Sequence, residues 1–230
     1  MITVVFQHIR IYQVEITMKI DHIFYINLDK RTDRDEDIKQ EIKKLDKDLS
    51  FTTRFSACVY HGTHCKKLNG AIGCSLSHLE VLKICQKNGY ENCIVLEDDF
   101  TFIIPQEDVI KKFEHFFSEY GEQYDMLLLG THCAKYHDIG DELVFKVTNS
   151  QTTSGYIINK KFYSALIANI EEGVTKLMSS HNLSLWGIDM YWKKLQDEHN
   201  IYTFNNDDFK IGKQRPSFSD IEGVNVDYNA

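Results

Sequence analysis

Short apolar runs alternate along this chain with segments whose apolar residues recur at helical spacing, a pattern that confines it to a layered α/β fold. The run Ile23-Phe-Tyr-Ile-Asn-Leu28 is followed by Ile38, Ile42 and Leu45 among charged residues, which reads as a strand and then an amphipathic helix. From Gly73 onward, Leu76, Leu79, Leu82 and Cys85 step by three and predict a helix ending at Asn88-Gly89, a suitable C-cap pair. Cys93-Ile-Val-Leu96 reads as a buried strand. Val109, Ile110, Phe113, Phe116 and Phe117 mark a further amphipathic helix, and Asp125-Met-Leu-Leu-Leu-Gly130 suits a central strand covered on both faces. Beyond residue 140 the pattern loosens. Residues 143–147 and 156–158 read as short strands, Phe162, Leu166 and Ile170 as a helix, and a last helix starts near Gly187 with Ile188, Tyr191, Trp192 and Leu195 on its apolar side.

The chain has 230 residues, 43% of them hydrophobic, enough for one substantial core. Its two prolines, Pro105 and Pro216, are not part of any Gly/Ser-rich linker, and no repeat divides the sequence. The expected organisation is a single domain over residues 18–223, an N-terminal extension over 1–17 and a tail over 224–230. Residues 9–16 alternate apolar and polar, so that part of the extension also reads as an extra strand. From Asn205 on the sequence is polar and irregular, a segment that either frays or folds over a site.

A net charge of -8 argues against phosphate-backbone binding to nucleic acid and favours a neutral partner such as a sugar or peptide. No apolar run approaches the roughly 20 residues that span a bilayer, and polar interruptions in the first seventeen residues spoil a secretory leader. The expected compartment is therefore the cytosol, with the six cysteines reduced.

The sharpest chemical feature is Glu97-Asp98-Asp99, directly after the buried run. Open α/β sheets bind ligands at the carboxyl ends of their strands. Three adjacent carboxylates repel one another in a partly desolvated crevice, and a divalent cation relieves that repulsion. Mg²⁺ or Mn²⁺, bridging carboxylates to substrate phosphates, would suit a nucleotide diphosphate. The competing reading of the same triplet is a solvated acidic turn.

A second feature, Asn27-Leu28-Asp29-Lys30-Arg31-Thr32-Asp33-Arg34, again follows a strand and opens a helix. Arg31 and Arg34 either hold a nucleotide or pair with nearby aspartates. A third is Gly70-Ala-Ile-Gly73-Cys-Ser-Leu-Ser77-His78, where glycines permit close backbone approach to a ligand and His78 is either a packed residue or a binding group. Cys58, His61, His64 and Cys65 form a conceivable zinc cluster, but the spacing is unlike common structural zinc sites.

Taken in order, Phe-Tyr-Ile-Asn-Leu-Asp-Lys-Arg-Thr-Asp-Arg, Gly-Ala-Ile-Gly-Cys-Ser-Leu-Ser-His and Val-Leu-Glu-Asp-Asp-Phe resemble glycosyltransferase family 25, from about Lys19 to about Gly223. The resemblance implies a GT-A-like single domain, a mixed central sheet flanked by helices, and inverting transfer of a hexose from a UDP-sugar, UDP-galactose or UDP-glucose, to an oligosaccharide or hydroxylysine acceptor. It also implies dependence on Mn²⁺ or Mg²⁺. Glu97 and Asp99 match the metal motif with Asp98 between them. Asn27, Leu28, Arg31 and Arg34 match the nucleotide side, and Ser77 and His78 match the helix after the glycines.

Two later segments, Thr152-Thr-Ser-Gly-Tyr-Ile-Ile158 and Trp186-Gly-Ile-Asp189, also resemble the family. Asp189 is the expected catalytic base, kept ionised by its place at a helix start. Gln214-Arg215-Pro-Ser-Phe-Ser-Asp220 resembles a segment closing over the donor phosphates, with Arg215 on the nucleotide and Asp220 as a further metal ligand. No histidine follows residue 199 to complete a metal site as in some GT-A enzymes. The alternatives are a non-catalytic sugar- or partner-binding relative, and a metal-dependent phosphohydrolase, which the missing Gly-rich Lys-Ser/Thr phosphate loop disfavours.

Overall fold

A computed structural model describes residues 19–204, 211–221 and 225–226. The expected N-terminal extension, with its candidate strand, and nearly all of the 224–230 tail lie outside these residues.

Six strands form the main sheet in the order β2-β1-β3-β6-β5-β7. They are β1 His22–Asn27, β2 Thr52–Ser56, β3 Asn92–Glu97, β5 Met126–Asp138, β6 Val144–Asn159 and β7 Ile201–Phe204. β1 runs parallel to both β2 and β3, whereas β6 is antiparallel to β3 and β5, so the sheet is mixed as expected. Helices α1 Thr32–Ile42 and α3 Gln106–Tyr120 cover one face, and α2 Lys66–Asn88 and α4 Tyr163–Ser180 cover the other.

Alternate residues of each central strand feed the two cores. Ile23 and Tyr25 of β1, Ile94 and Leu96 of β3, and Leu127 and Leu129 of β5 pack with Ile38, Ile42, Phe113 and Phe116. Phe24, Ile26, Val95, Leu128 and Ile158 pack instead with Leu79, Leu82, Leu166 and Ile170. Burial on both faces is why these strands read as unbroken apolar runs.

Three expectations are corrected. The helix read from Gly73 begins at Lys66, so Gly70 and Gly73 lie inside α2 and Ser77 and His78 sit in its middle rather than near its start. A Cβ at Gly73 would stand 2.5 Å from the Cys58 carbonyl oxygen, and one at Gly70 3.0 Å from Ile221. Gly73 therefore admits the Cys58 stretch against the helix, and Gly70 admits Ile221 while itself bordering the cavity. The two short strands read near 143–147 and 156–158 are one strand, β6, whose polar middle hid it. The helix read from Gly187 is broken into α6 Ile188–Tyr191 and a 3-10 turn over Trp192–Leu195, with a separate short helix, α5 Leu183–Trp186, before it.

Two small ribbons complete the molecule, β4 Phe100–Phe102 with β8 Gly212–Gln214 and β9 Ser217–Phe218 with β10 Asn225–Val226. The first ribbon brings the late segment against the acid triplet, where the Arg215 amide donates to the Asp99 carbonyl at 2.7 Å.

Candidate functional site

At the carboxyl ends of β1 and β3 lies a cavity of about 680 Å³ bordered by Leu28, Lys30, Arg34, Glu97, Asp98 and Asp99. The loop after β2, the middle of α2 and residues 219–221 close its other sides.

The acid triplet is held by opposing donors. Both oxygens of Asp98 are engaged, Oδ1 by Arg34 Nη1 at 2.7 Å and Oδ2 by Asn27 Nδ2 at 2.9 Å. Asp99 Oδ2 accepts from Arg34 Nη1 at 3.1 Å and from Gln214 Nε2 at 3.0 Å, while its Oδ1 is buried without a hydrogen-bond partner. Glu97 accepts from Thr153 Oγ1 at 2.5 Å and faces His78 Nε2 at 3.2 Å, and both contacts fall on its Oε1. Glu97 Oε2 and Asp99 Oδ1 are thus the carboxylate oxygens left open by this network.

Burial, then the neighbouring charge of Glu97, pushes Asp99 up to about 7. Burial raises Asp98 as well, against Arg34 and Asn27. Burial acts to raise Glu97 too, but the His78 hydrogen bond and charge outweigh it and hold the carboxyl below its ordinary range. Three carboxylates around the single Arg34 guanidinium leave an excess of negative charge, and a buried oxygen without a donor is costly unless a cation takes it. The donor set therefore fits the divalent cation that the motif implies, with Glu97 and Asp99 as the residues that would hold it.

Another grouping among the described residues brings Cys74, His78 and Glu97 ligand atoms within 4.8 Å of one another. It is the poorer cation site. Both ring nitrogens of His78 already have partners, Nδ1 facing the Tyr156 hydroxyl at 3.0 Å, and burial drives the Cys74 thiol well above its ordinary value, away from the thiolate a metal needs. His78 borders the cavity but is fully buried, and it braces Glu97 against Tyr156.

Asp189 opens α6, beside Glu97 but outside the cavity lining. Burial, then the charge of Glu97, raises its carboxyl, and a four-residue helix has little dipole to oppose them. Nearby, Thr152 holds a φ of 79°, unusual for a β-branched residue. Strained backbone of this kind gathers at functional sites.

Residues 20–181 match the sequence profile of Glycosyltransferase family 25 (LPS biosynthesis protein). The chain belongs to glycosyltransferase family 25. No curated protein matches it. Among solved structures it is similar to UDP-glucose pyrophosphorylase complexed with UDP-glucose, at 14% identity and a TM-score of 0.47 over 92% of this chain and 83% of that one. A197 from STIV gives 13% identity and 0.43 over 92% and 97%. A glycosyltransferase involved in glycosylation of the major capsid of PBCV-1 gives 9% and 0.42 over 68% and 66%. At TM-scores below 0.5 these likenesses add nothing to the assignment.

In this family 25 chain Asn27, Leu28, Arg34, Ser77, His78, Glu97, Asp98, Asp99 and Asp220 come together around or just behind the cavity. Arg31 and Arg215 stand outside its lining, Arg31 on Asp33 and Asp220, Arg215 on Asp37. Asp220 does not join the acid triplet as a ligand: its oxygens lie on Lys30 at 2.7 Å and Arg31 at 2.6 Å. Ser77 is spent on structure, donating to the Gly73 carbonyl and accepting from the Cys58 amide. The zinc reading of Cys58, His61, His64 and Cys65 finds no support, since among the described residues these side chains do not converge. Sequence reading passed over Arg54, Thr153, Tyr156 and Gln214. Only the last three stood in segments that had drawn notice, and Arg54 gave no signal at all. No helix among the described residues is long and apolar enough to cross a membrane.

Proposed function

We propose that this chain transfers a hexose, galactose or glucose, from a UDP-sugar to an oligosaccharide or hydroxylysine acceptor by direct inverting displacement. In this reading Mn²⁺ or Mg²⁺ is held by Glu97 and Asp99. The observation that carries it is the pair of open carboxylate oxygens, Glu97 Oε2 and the buried Asp99 Oδ1, in a cavity at the strand ends. A bound divalent cation would neutralise the acids and the charge gathering on the departing diphosphate.

Leu28 and Lys30 border the donor, while Asn27 and Arg34 hold Asp98 in place behind it. Lys30, a cation on the cavity lining, would meet the donor diphosphate, and Arg31 pairs with the same Asp220 from outside that lining. Arg215 steadies the turn of the acid triplet through the Asp98 and Asp99 carbonyls. Asp189 serves as the acceptor-side base. The acceptor oxygen bonds to the sugar's anomeric carbon, the bond from that carbon to the diphosphate breaks, and the hydroxyl proton passes to Asp189. A carboxyl raised by burial is better matched to this task near neutral pH than an ordinary aspartate.

The test is to incubate the chain with UDP-galactose or UDP-glucose, a mixed panel of glycan and hydroxylysine acceptors, and either Mn²⁺ or a chelator. Metal-dependent glycosylated product that disappears in Asp189→Asn supports the reading. UDP-sugar hydrolysis without any transfer product, or transfer unaffected by the chelator, overturns it.

A further inference from the structure

Arg54 lies on β2, outside the cavity lining, and is joined to the acid triplet through one residue. Its Nε and Nη2 donate to Asn27 Oδ1 at 3.0 and 2.8 Å, and Nη2 also reaches the Asn27 carbonyl at 3.3 Å. Asn27, 1% exposed at the end of β1, turns its Nδ2 to Asp98 Oδ2 at 2.9 Å and to the Arg31 carbonyl at 3.0 Å.

A guanidinium has only donors, so whichever end of the Asn27 amide faces Arg54 has to be the oxygen. The other end, toward Asp98, is then the amine. Without Arg54 the amide oxygen loses both its guanidinium donors in a buried place where an unmade hydrogen bond is expensive, and the group that meets Asp98 is held from its amine end alone. The same guanidinium holds Asp29 Oδ1 at 2.7 Å, which Ser56 Oγ also meets at 2.8 Å, and stands 3.4 Å from Asp35 Oδ1. One side chain thus ties the end of β1, the loop that borders the cavity and the first turns of α1.

We infer that Arg54 is a positioning residue for the donor site, acting through Asn27 to fix the orientation of Asp98 and through Asp29 to set the loop at Leu28 to Lys30. This rests on the donor-binding reading above. It extends that reading to a residue outside the cavity lining, one hydrogen bond behind it.

The experiment compares wild type with Arg54→Met, Arg54→Lys, Asn27→Ala and the Arg54→Met/Asn27→Ala pair. Two readouts are followed: the Asn27 side-chain amide protons by NMR, assigned by their loss in Asn27→Ala, and the Kd of UDP with Mn²⁺. In wild type the two protons are expected to be well separated and slow to exchange. Arg54→Met is expected to move them and speed their exchange, and to weaken UDP binding about tenfold, the usual scale for a partner one step behind a ligand. Arg54→Lys should not rescue it, because an ammonium lacks the two parallel donors that set the amide. The double variant should bind UDP no worse than Asn27→Ala alone.

Unchanged amide protons in Arg54→Met, full rescue by Arg54→Lys, or additive losses in the double variant overturn the inference. If wild type binds no UDP at all, the donor reading falls, and the amide protons still decide the role of Arg54.

Discussion

Arg34 Nη1 reaches Asp99 Oδ2 at 3.1 Å and leaves Asp99 Oδ1 buried without a hydrogen bond. The same nitrogen also serves Asp98 at 2.7 Å, so a single cationic side chain neutralises two members of the acid triplet. Removing one partner of a buried ion pair strands the other. Arg34→Met should therefore destabilise the metal-free protein by about 4 kcal/mol. Added Mn²⁺ should recover part of that loss by taking over the uncompensated acids, as read from thermal unfolding with and without the ion.

His78 and Tyr156 form a brace behind Glu97. The contacts are 3.0 Å from His78 Nδ1 to the Tyr156 hydroxyl and 3.2 Å from Nε2 to Glu97. In Tyr156→Phe the hydroxyl partner of the ring is lost while the packing stays. That variant should cost about 1–2 kcal/mol in stability and weaken Mn²⁺ binding by roughly tenfold or more, measured by titrating the metal alone.

Gly73 is tied to the cavity wall by shape alone. A methyl group there would meet the Cys58 carbonyl at 2.5 Å, closer than atoms pack, and Cys58 borders the cavity. Gly73→Ala should lose about 1–3 kcal/mol through forced displacement, against the gain in helix propensity expected of alanine on an open helix face. Calorimetric unfolding gives the sign directly.

Asp141 supplies a pH-linked contribution to the fold away from the site. Burial acts to raise its carboxyl, but the Leu143 and Val144 amides, His115 at 2.7 Å and Tyr120 at 3.0 Å outweigh it and lower it. A carboxyl lowered on folding stabilises the protein at pH above the ordinary carboxylate value of 3.8, and that stability is lost as pH falls through the folded value. Asp141→Asn should cost about 2 kcal/mol at pH 7, and the gap in Tm from wild type should close as the pH drops below the usual carboxylate range.

What the sequence made legible follows from burial. β1, β3 and the first part of β5 are covered on both faces and carry unbroken apolar runs, so they and the acids at the end of β3 stand out. β2 hid because it lies at the sheet edge, half exposed, with Thr52, Thr53 and Arg54 in place of an apolar run. The middle of β6 hid because its polar residues are held by long-range hydrogen bonds: Thr153 bonds Glu97 at the site, and the Ser150 amide donates to Gln196 away from it. His78 read as either a packed residue or a binding group because nothing local announces that Tyr156, far along the chain, meets its second nitrogen. Asp220 looked like a metal ligand for the same reason, since its partners Lys30 and Arg31 lie at the opposite end of the chain.

The most direct measurement is calorimetric binding of UDP with and without Mn²⁺ to wild type and Asp99→Ala. Metal-dependent UDP binding in wild type that is lost in Asp99→Ala is the predicted result. UDP binding that needs no metal, or that survives unchanged in Asp99→Ala, would contradict the assignment of Asp99 Oδ1 and Glu97 Oε2 as the seat of the cation.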